Sequence, residues 1–179
     1  MSGKSVAKKI ALLAVMTALI VAGKAVLSAV ANVEIVSLFC ALFGYVFGPI
    51  ATVPTCLFIL IDMLYWGSMS YYSWIPTYFI HFNSIVIIFW LLSKAKLKTP
   101  IVFVIIIAFM TFCFGLIESF FAVIMVSTDF NNFIYRFGVY YGRGVAFTLV
   151  HIVSNAVIFL LLFIPLKELL VILKQQLKL

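Results

Sequence analysis

The stretch that decides the fold begins at Pro100, ends at Val126 and reads PIVFVIIIAFMTFCFGLIESFFAVIMV. A helix that crosses a bilayer needs about 20 predominantly apolar residues, and this run is long enough. It therefore predicts a transmembrane helix. Its one charged residue, Glu118, would lie about 12 Å below the end of the helix at 1.5 Å per residue. Charged side chains at such a depth are costly, and they usually mark a functional site.

The composition of the whole chain agrees with this stretch. Of 179 residues, 66% are hydrophobic and 9% are charged, which lies far outside the range of soluble domains. The sequence therefore predicts an integral membrane protein with a single transmembrane domain over residues 1–179. The net charge of +7 does not indicate a nucleic-acid partner, because the excess lysines stand in short stretches beside hydrophobic segments.

Apolar runs on both sides of the central stretch predict an all-α bundle of six transmembrane helices. The spans are expected at about 10–31, 33–48, 50–66, 73–93, 100–126 and 138–164. Gly48-Pro49 separates the short second and third runs, because proline has no backbone N–H and interrupts helices. These two runs form either two short spans or one re-entrant hairpin, and we favour two spans.

Clusters of lysines set the expected orientation. They precede the first span, fill the loop after the fourth and follow the sixth: Lys4, Lys8 and Lys9; Lys94, Lys96 and Lys98; Lys167, Lys174 and Lys178. With six spans, all three clusters fall on one side, which the positive-inside rule makes cytoplasmic. We therefore expect both termini in the cytoplasm. A re-entrant hairpin would give the same parity.

Polar and aromatic side chains gather toward the opposite, outer ends of the spans. They recur at helical spacing on the fourth span (Tyr71, Trp74, Tyr78, His81) and on the sixth (Tyr140, Arg143, Phe147, His151, Asn155). Faces of this kind, turned inward, would line an outward-opening pocket with aromatic rings and a few polar anchors, as small-molecule sites require. The ligand-facing candidates are Asn32, Tyr71, Tyr72, Trp74, Tyr78, His81, Glu118 and Arg143.

Several of these polar residues also have a purely structural interpretation. Glu118 and Arg143 could form a buried ion pair that fixes the register of two helices. Lys24 could extend its ammonium group to the interface. His151 and Asn155 could cross-link helices through hydrogen bonds.

The sequence contains no motif for nucleotide binding or hydrolytic chemistry. It has no Walker loop, no Gly-x-Gly-x-x-Gly run and no Gly-x-Ser-x-Gly elbow. The spacing of its His, Cys and acidic residues does not match a metal site, so we expect neither a metal nor a cofactor.

Small residues form a stripe along the first span. Ala7, Ala11, Ala14, Ala18 and Ala22 recur at spacings of three and four residues. Such stripes allow helices to approach closely. The stripe could receive a partner protein or pack within the bundle.

Three short segments add a family resemblance. They are Ala14-Val-Met-Thr-Ala18 on the first span, Asn32-Val-Glu34-Ile-Val at the start of the second, and His151-Ile-Val-Ser-Asn155 followed by Pro165-Leu in the last. Together with the size and the six spans, they make the chain similar over nearly its whole length to the substrate-binding S-components of energy-coupling factor (ECF) vitamin transporters. Ala14-Val-Met-Thr-Ala18 resembles the family's Ala-x-x-x-Ala signature. The chain departs from many members after Gly48-Pro49, where Ala51 and Thr55 replace glycines.

The resemblance implies a transport subunit without enzymatic activity, in the plasma membrane of a bacterium. Such a subunit captures a vitamin at the outer face and docks on a shared transmembrane coupling subunit, which carries two ATPases. Ala14 and Ala18 carry over as contacts to the coupling subunit. The near-balanced outer charges and the aromatic rim favour a large amphipathic ligand. We expect a corrinoid such as cobalamin, followed by pantothenate and riboflavin.

Two other classes of function stay open. A small membrane enzyme could use Glu118, His81 or His151 for acid–base chemistry on a lipid. A non-catalytic assembly or sensory subunit could bind a partner protein through the first helix and bind no small ligand.

Overall fold

The computed structural model of the chain describes residues 3–66, 73–126 and 132–177, and these fold into six α-helices with no strand. The helices are α1 (Gly3–Leu27), α2 (Val36–Phe47), α3 (Thr52–Trp66), α4 (Trp74–Lys94), α5 (Pro100–Val126) and α6 (Phe133–Gln176), and a 3-10 turn at Pro49–Ala51 precedes α3. The all-α class predicted from the sequence is confirmed.

Four of these helices, α1, α4, α5 and α6, are long and apolar enough to cross a membrane. The other two are apolar but shorter, with 12 residues in α2 and 15 in α3. At 1.5 Å per residue they are about 18 and 22 Å long, compared with about 30 Å for the hydrocarbon core of a bilayer. The structure therefore supports a membrane protein with at least four helices of spanning length among its described residues.

The helix bounds agree with the predicted spans most closely for α5, which occupies 100–126 as expected. The sixth helix is longer than the predicted 138–164, because it begins at Phe133 and continues through Pro165 to Gln176. Proline usually interrupts a helix, but apolar helices tolerate it where neighbouring helices support the backbone. At 44 residues, α6 is about 66 Å long.

Aromatic side chains form much of the core between α4, α5 and α6. The ring of Phe163 lies 4.7 Å from that of Phe103 and 5.4 Å from that of Phe89, measured between centroids. All three side chains are at most 1% exposed. Aromatic pairs at this separation add to the stabilisation from burial, so this cluster holds α4, α5 and α6 together.

A glycine allows α2 to approach α4 closely. A Cβ atom at Gly44 would lie 2.8 Å from the Cα atom of Val86, which is shorter than real contacts allow. The turn after α2 also depends on a glycine, because Gly48 has a φ of 82°. Side-chain-bearing residues rarely adopt this conformation. Gly48 and Pro49 thus form the break between α2 and α3 that the sequence predicts.

Side-chain contacts bring the lysine-rich segments to one end of the bundle. Lys8 Nζ donates a hydrogen bond to the carbonyl oxygen of Leu177 at 3.3 Å, which joins α1 to the end of α6. Lys174 Nζ donates to the carbonyl oxygen of Val46 at 2.7 Å. The hydroxyl of Tyr45 donates to Leu97 in the α4–α5 loop at 2.8 Å. We call this end of the bundle the lysine end.

Candidate ligand-binding site

The site lies at the end of the bundle opposite to the lysine end and is organised by the α1–α2 loop, residues 28–35. The sequence predicted a single residue between the first two spans, but α1 ends at Leu27 and α2 begins at Val36. Asn32 turns the chain there with a φ of 59°, a conformation that asparagine tolerates better than most residues. The hydroxyl of Ser154 in α6 donates to the carbonyl oxygen of Asn32 at 3.0 Å and holds the loop in place.

Glu34 is the central acceptor of this loop. Its Oε2 atom accepts a hydrogen bond from the backbone N–H of Ser37 at 2.9 Å, in the first turn of α2. Free N–H groups and the helix dipole favour a carboxylate at a helix N-terminus. This contact therefore stabilises the start of α2 and turns the carboxylate into the bundle, where the side chain is 12% exposed.

The other carboxylate oxygen of Glu34 connects the loop to α6. Oε1 lies 3.3 Å from Nε2 of His151 and accepts a hydrogen bond from Nδ2 of Asn155 at 3.3 Å. Nδ2 of Asn155 also donates to the hydroxyl of Thr111 in α5 at 3.0 Å. Asn155 therefore cross-links α6 to α5, as its structural interpretation expected, whereas His151 connects α6 to the α1–α2 loop.

A cleft of about 190 Å³ lies beside this network. Its lining combines the end of α1 and the α1–α2 loop with side chains from three other helices, namely Tyr78 and Phe82 of α4, Phe114 of α5 and His151 of α6. Lys24, Asn32 and Glu34 supply polar groups on the other side. We call this space the loop cleft. Concave sites with aromatic walls and a few polar groups are typical of small-molecule binding.

Lys24 is the cation of the loop cleft. Its Nζ atom donates a hydrogen bond to the hydroxyl of Tyr78 at 3.3 Å. Among the described residues, the one ion pair within 4 Å joins His151 to Glu34, so Lys24 has no carboxylate at that distance. An ammonium group has three N–H donors. Lys24 can therefore donate hydrogen bonds to an anionic group of a ligand.

A second cavity of about 260 Å³ lies on the other side of Lys24, between α1 and α3. Asp62 and Tyr65 contribute to its lining together with apolar side chains. Asp62 is 8% exposed, so its carboxylate is largely shielded from solvent. Lys24 thus stands between an aromatic cleft and an acidic cavity.

The aromatic wall of the loop cleft is continuous. The ring centroid of Tyr78 lies 5.0 Å from that of Phe82 and 5.1 Å from that of Trp74. Phe114 lies 6.1 Å from Tyr78 and 5.5 Å from His151. These rings offer an apolar surface to the flat or aliphatic part of a ligand.

The predicted site residues fall into four groups. Asn32 and Tyr78 line the loop cleft, and Trp74, His81 and Glu118 lie on the adjoining parts of α4 and α5. Arg143 is exposed on α6, and Glu118 instead accepts a hydrogen bond from Ser73 at 2.7 Å, so the alternative of a Glu118–Arg143 ion pair is not observed. Tyr71 and Tyr72 lie outside the described residues.

Five cleft-lining residues with a charged or aromatic side chain were not among the ligand-facing predictions, namely Lys24, Glu34, Phe82, Phe114 and His151. No ligand-facing role was predicted for the side chains of Glu34, Phe82 and Phe114. The only sequence signal was Asn32-Val-Glu34-Ile-Val, which pointed to the loop but not to the inward direction of its carboxylate. Within the described residues, no three His, Cys, Asp or Glu side chains form a cluster that could hold a metal ion.

The alanine stripe of α1 faces outward. Ala7, Ala11, Ala14, Ala18 and Ala22 are all exposed, whereas Met16 and Ile20 on the other face are at most 1% exposed. The stripe therefore does not pack inside the bundle. An apolar groove of about 330 Å³ runs beside it, between α1 and the last turns of α6.

Comparisons with protein-family models, with curated proteins and with solved structures find no match to this chain.

Proposed function

We propose that the chain is the substrate-binding subunit of an ECF-type importer, which captures a vitamin outside the cell and delivers it by docking on a membrane-embedded coupling subunit. The observation that carries this proposal is the position of the loop cleft, at the end of the bundle opposite to the lysine end. Lysine-rich ends of membrane proteins face the cytoplasm. The cleft would then open toward the outside, where a nutrient arrives.

The chemistry of the cleft supports binding of a small organic molecule. Lys24 supplies hydrogen-bond donors and positive charge, and Tyr78, Phe82 and Phe114 supply apolar surface. The acceptor atoms of Glu34 are largely occupied by Ser37, His151 and Asn155. Glu34 therefore stabilises the wall of the cleft and offers little free negative charge to a ligand.

The size of the cleft bears on the choice of vitamin. Its volume of about 190 Å³ is below the range of about 300–1,000 Å³ that is common for pockets of drug-sized ligands. This volume supports the smaller vitamins among those expected, such as pantothenate, over full enclosure of a corrinoid such as cobalamin. A corrinoid would have to extend beyond the loop cleft.

The exposed alanines support the docking part of the proposal. Ala14 and Ala18 present a smooth, small-residue surface along the helix that ends at the cleft. Small residues let two helices come into close backbone contact. A coupling subunit that bound there would contact the same helix that carries Lys24, and its two ATPases would supply the energy for uptake.

The position of the cleft can be tested by labelling in intact cells. Ser28 lines the cleft and is exposed, and Lys96 is exposed in the α4–α5 loop. We expect a membrane-impermeant maleimide to label Ser28→Cys in intact cells and Lys96→Cys only after permeabilisation, with the parent chain as the background control. Labelling of Lys96→Cys but not Ser28→Cys in intact cells would reverse the orientation and contradict capture from outside.

Binding is tested by titrating the detergent-purified chain with a panel of vitamins, including cobalamin, pantothenate and riboflavin. The proposal requires saturable binding of one of them. A membrane enzyme would instead turn over a lipid, and an assembly subunit would bind no vitamin.

A further inference from the structure

Four buried side-chain polar atoms have no hydrogen-bond partner among the described residues, and two of these, Ser37 Oγ and Asn155 Oδ1, belong to residues that already bind Glu34 through another atom. The other two lie on α4 and α5. One is Nε2 of His81, whose side chain is 2% exposed. The other is Oε2 of Glu118, although Oε1 of the same carboxylate accepts a hydrogen bond from Ser73 at 2.7 Å. Buried polar side-chain atoms are nearly always satisfied in folded proteins. The two exceptions on the neighbouring helices α4 and α5 therefore suggest a binding role.

Phe114 contacts both the loop cleft and His81. Its ring lines the cleft, and its centroid lies 4.9 Å from that of His81. Glu118 follows Phe114 by four residues on α5, so the two side chains share one face of the helix. Phe82, which also lines the cleft, packs on the ring of His81 at 5.2 Å. His81 is thus covered by two rings of the cleft wall.

We propose that Phe114 is a movable wall, and that its displacement extends the loop cleft to a polar subsite formed by His81 and Glu118. The proposal rests on the proposed function and names the class of ligand for that same site. The ligand is a small carboxylate that carries hydroxyl or amide N–H donors several atoms away from its carboxylate group.

Each end of such a ligand can form hydrogen bonds with a group of the site. The carboxylate accepts hydrogen bonds from Lys24, which has donors to spare. The hydroxyl or amide donors reach Oε2 of Glu118 and Nε2 of His81. Hydrogen bonds between a charged donor and a carboxylate, as between Lys24 and the ligand, are among the stronger ones. Movement of Phe114 also enlarges a cleft that is small for a ligand site.

The test uses pantothenate, a carboxylate with hydroxyl and amide groups, and panthenol, in which an alcohol replaces the carboxylate. Calorimetric titration of the full chain in detergent should show binding of pantothenate and at least tenfold weaker binding of panthenol. Glu118→Gln and His81→Phe should each weaken pantothenate binding at least tenfold. Glu168→Gln, at an exposed position of α6, is the matched control and should bind as the parent chain does.

Thermal unfolding separates a binding role from a structural one. His81→Phe replaces a buried atom without a partner by an apolar group, which should leave the unfolding midpoint unchanged or raise it. Weaker binding with undiminished stability is therefore the expected signature. A lower midpoint together with unchanged affinity would assign His81 a structural role and overturn the subsite.

The remaining outcomes distinguish this inference from the proposed function. If another vitamin binds and pantothenate does not, the ligand class is wrong and the importer proposal stands. If pantothenate binds equally well to the parent chain and to both subsite variants, the subsite is wrong. If no vitamin binds at all, both proposals fail.

Discussion

The ammonium group of Lys24 lies 3.3 Å from the hydroxyl of Tyr78, and this contact connects the end of α1 to the first turns of α4 across the loop cleft. Nζ also lies 5.6 Å from the centroid of the Tyr78 ring. The same helix that presents the exposed alanines therefore contributes the cation of the cleft. This link provides a physical route by which ligand binding and docking could influence each other.

Removal of the Lys24 ammonium group should impair ligand binding. Lys24→Met keeps most of the aliphatic length of the side chain but removes the charge. Hydrogen bonds to charged groups contribute about 1.5–3 kcal/mol, so the Kd should rise by a factor of about 10 to 150. Titration with the vitamin identified from the panel measures the change. Lys98→Met at the lysine end is the control, and an equal loss in both variants would argue against a specific role of Lys24.

Glu34 should contribute to stability through its contacts with α2 and α6. Glu34→Gln removes the charge that Ser37, His151 and Asn155 face. We expect the folded state to lose about 1–3 kcal/mol, which lowers the thermal midpoint by several degrees for a chain of this size. Melting of the purified chain in detergent provides the measurement. Glu168→Gln, on the surface of α6, should melt as the parent does.

The close approach of α2 and α4 should make Gly44 intolerant of any side chain. Gly44→Ala places a methyl group against the backbone of Val86, so the two helices have to separate. Overpacking of this kind typically costs about 1–3 kcal/mol. Gly142 in α6 has nothing within 4 Å of its Cβ position. Gly142→Ala should therefore leave stability unchanged or raise it, because alanine favours helix more than glycine does. Equal effects of the two substitutions would contradict the packing described here.

The exposed alanine face should be required for docking but not for ligand binding. Trp substitutions at Ala14 and Ala18 would place bulky rings on a surface that is now flat. We expect the double variant to bind its vitamin with parent affinity and to lose co-purification with the coupling subunit. Ala146→Trp, on an exposed part of α6, serves as the control. Retention of the coupling subunit by the double variant would place docking elsewhere.

The sequence predicts the helices better than the loops between them. The apolar run at 100–126 gives the bounds of α5, because length and apolarity alone decide where a membrane helix can lie. The path of α6 through Pro165 is not predictable in this way, since support from neighbouring helices decides whether proline ends a helix. The end of α1 at Leu27 depends on the α1–α2 loop, whose hydrogen bonds to α6 connect residues more than 100 positions apart.

The residues of the candidate site were likewise predicted from the sequence only in part. Tyr78 was predicted from its helical spacing with Trp74 and His81, which places the three on one side of α4. Glu34 was not predicted, because a charged residue beside a span normally faces solvent. Only its contacts with His151 and Asn155 show that its carboxylate points inward. Periodicity identifies the face of a helix, but the residues that face each other across a cleft follow from the tertiary packing.

Delivery of a vitamin by this chain to an ATP-driven coupling module is the core of the proposed function. It is tested most directly by affinity purification of the tagged chain from gently solubilised native membranes, followed by mass spectrometry of the protein and small-molecule fractions. We expect recovery of a transmembrane coupling subunit, two ATPases and a bound vitamin. Recovery of the chain without any ATPase and without a vitamin would contradict it.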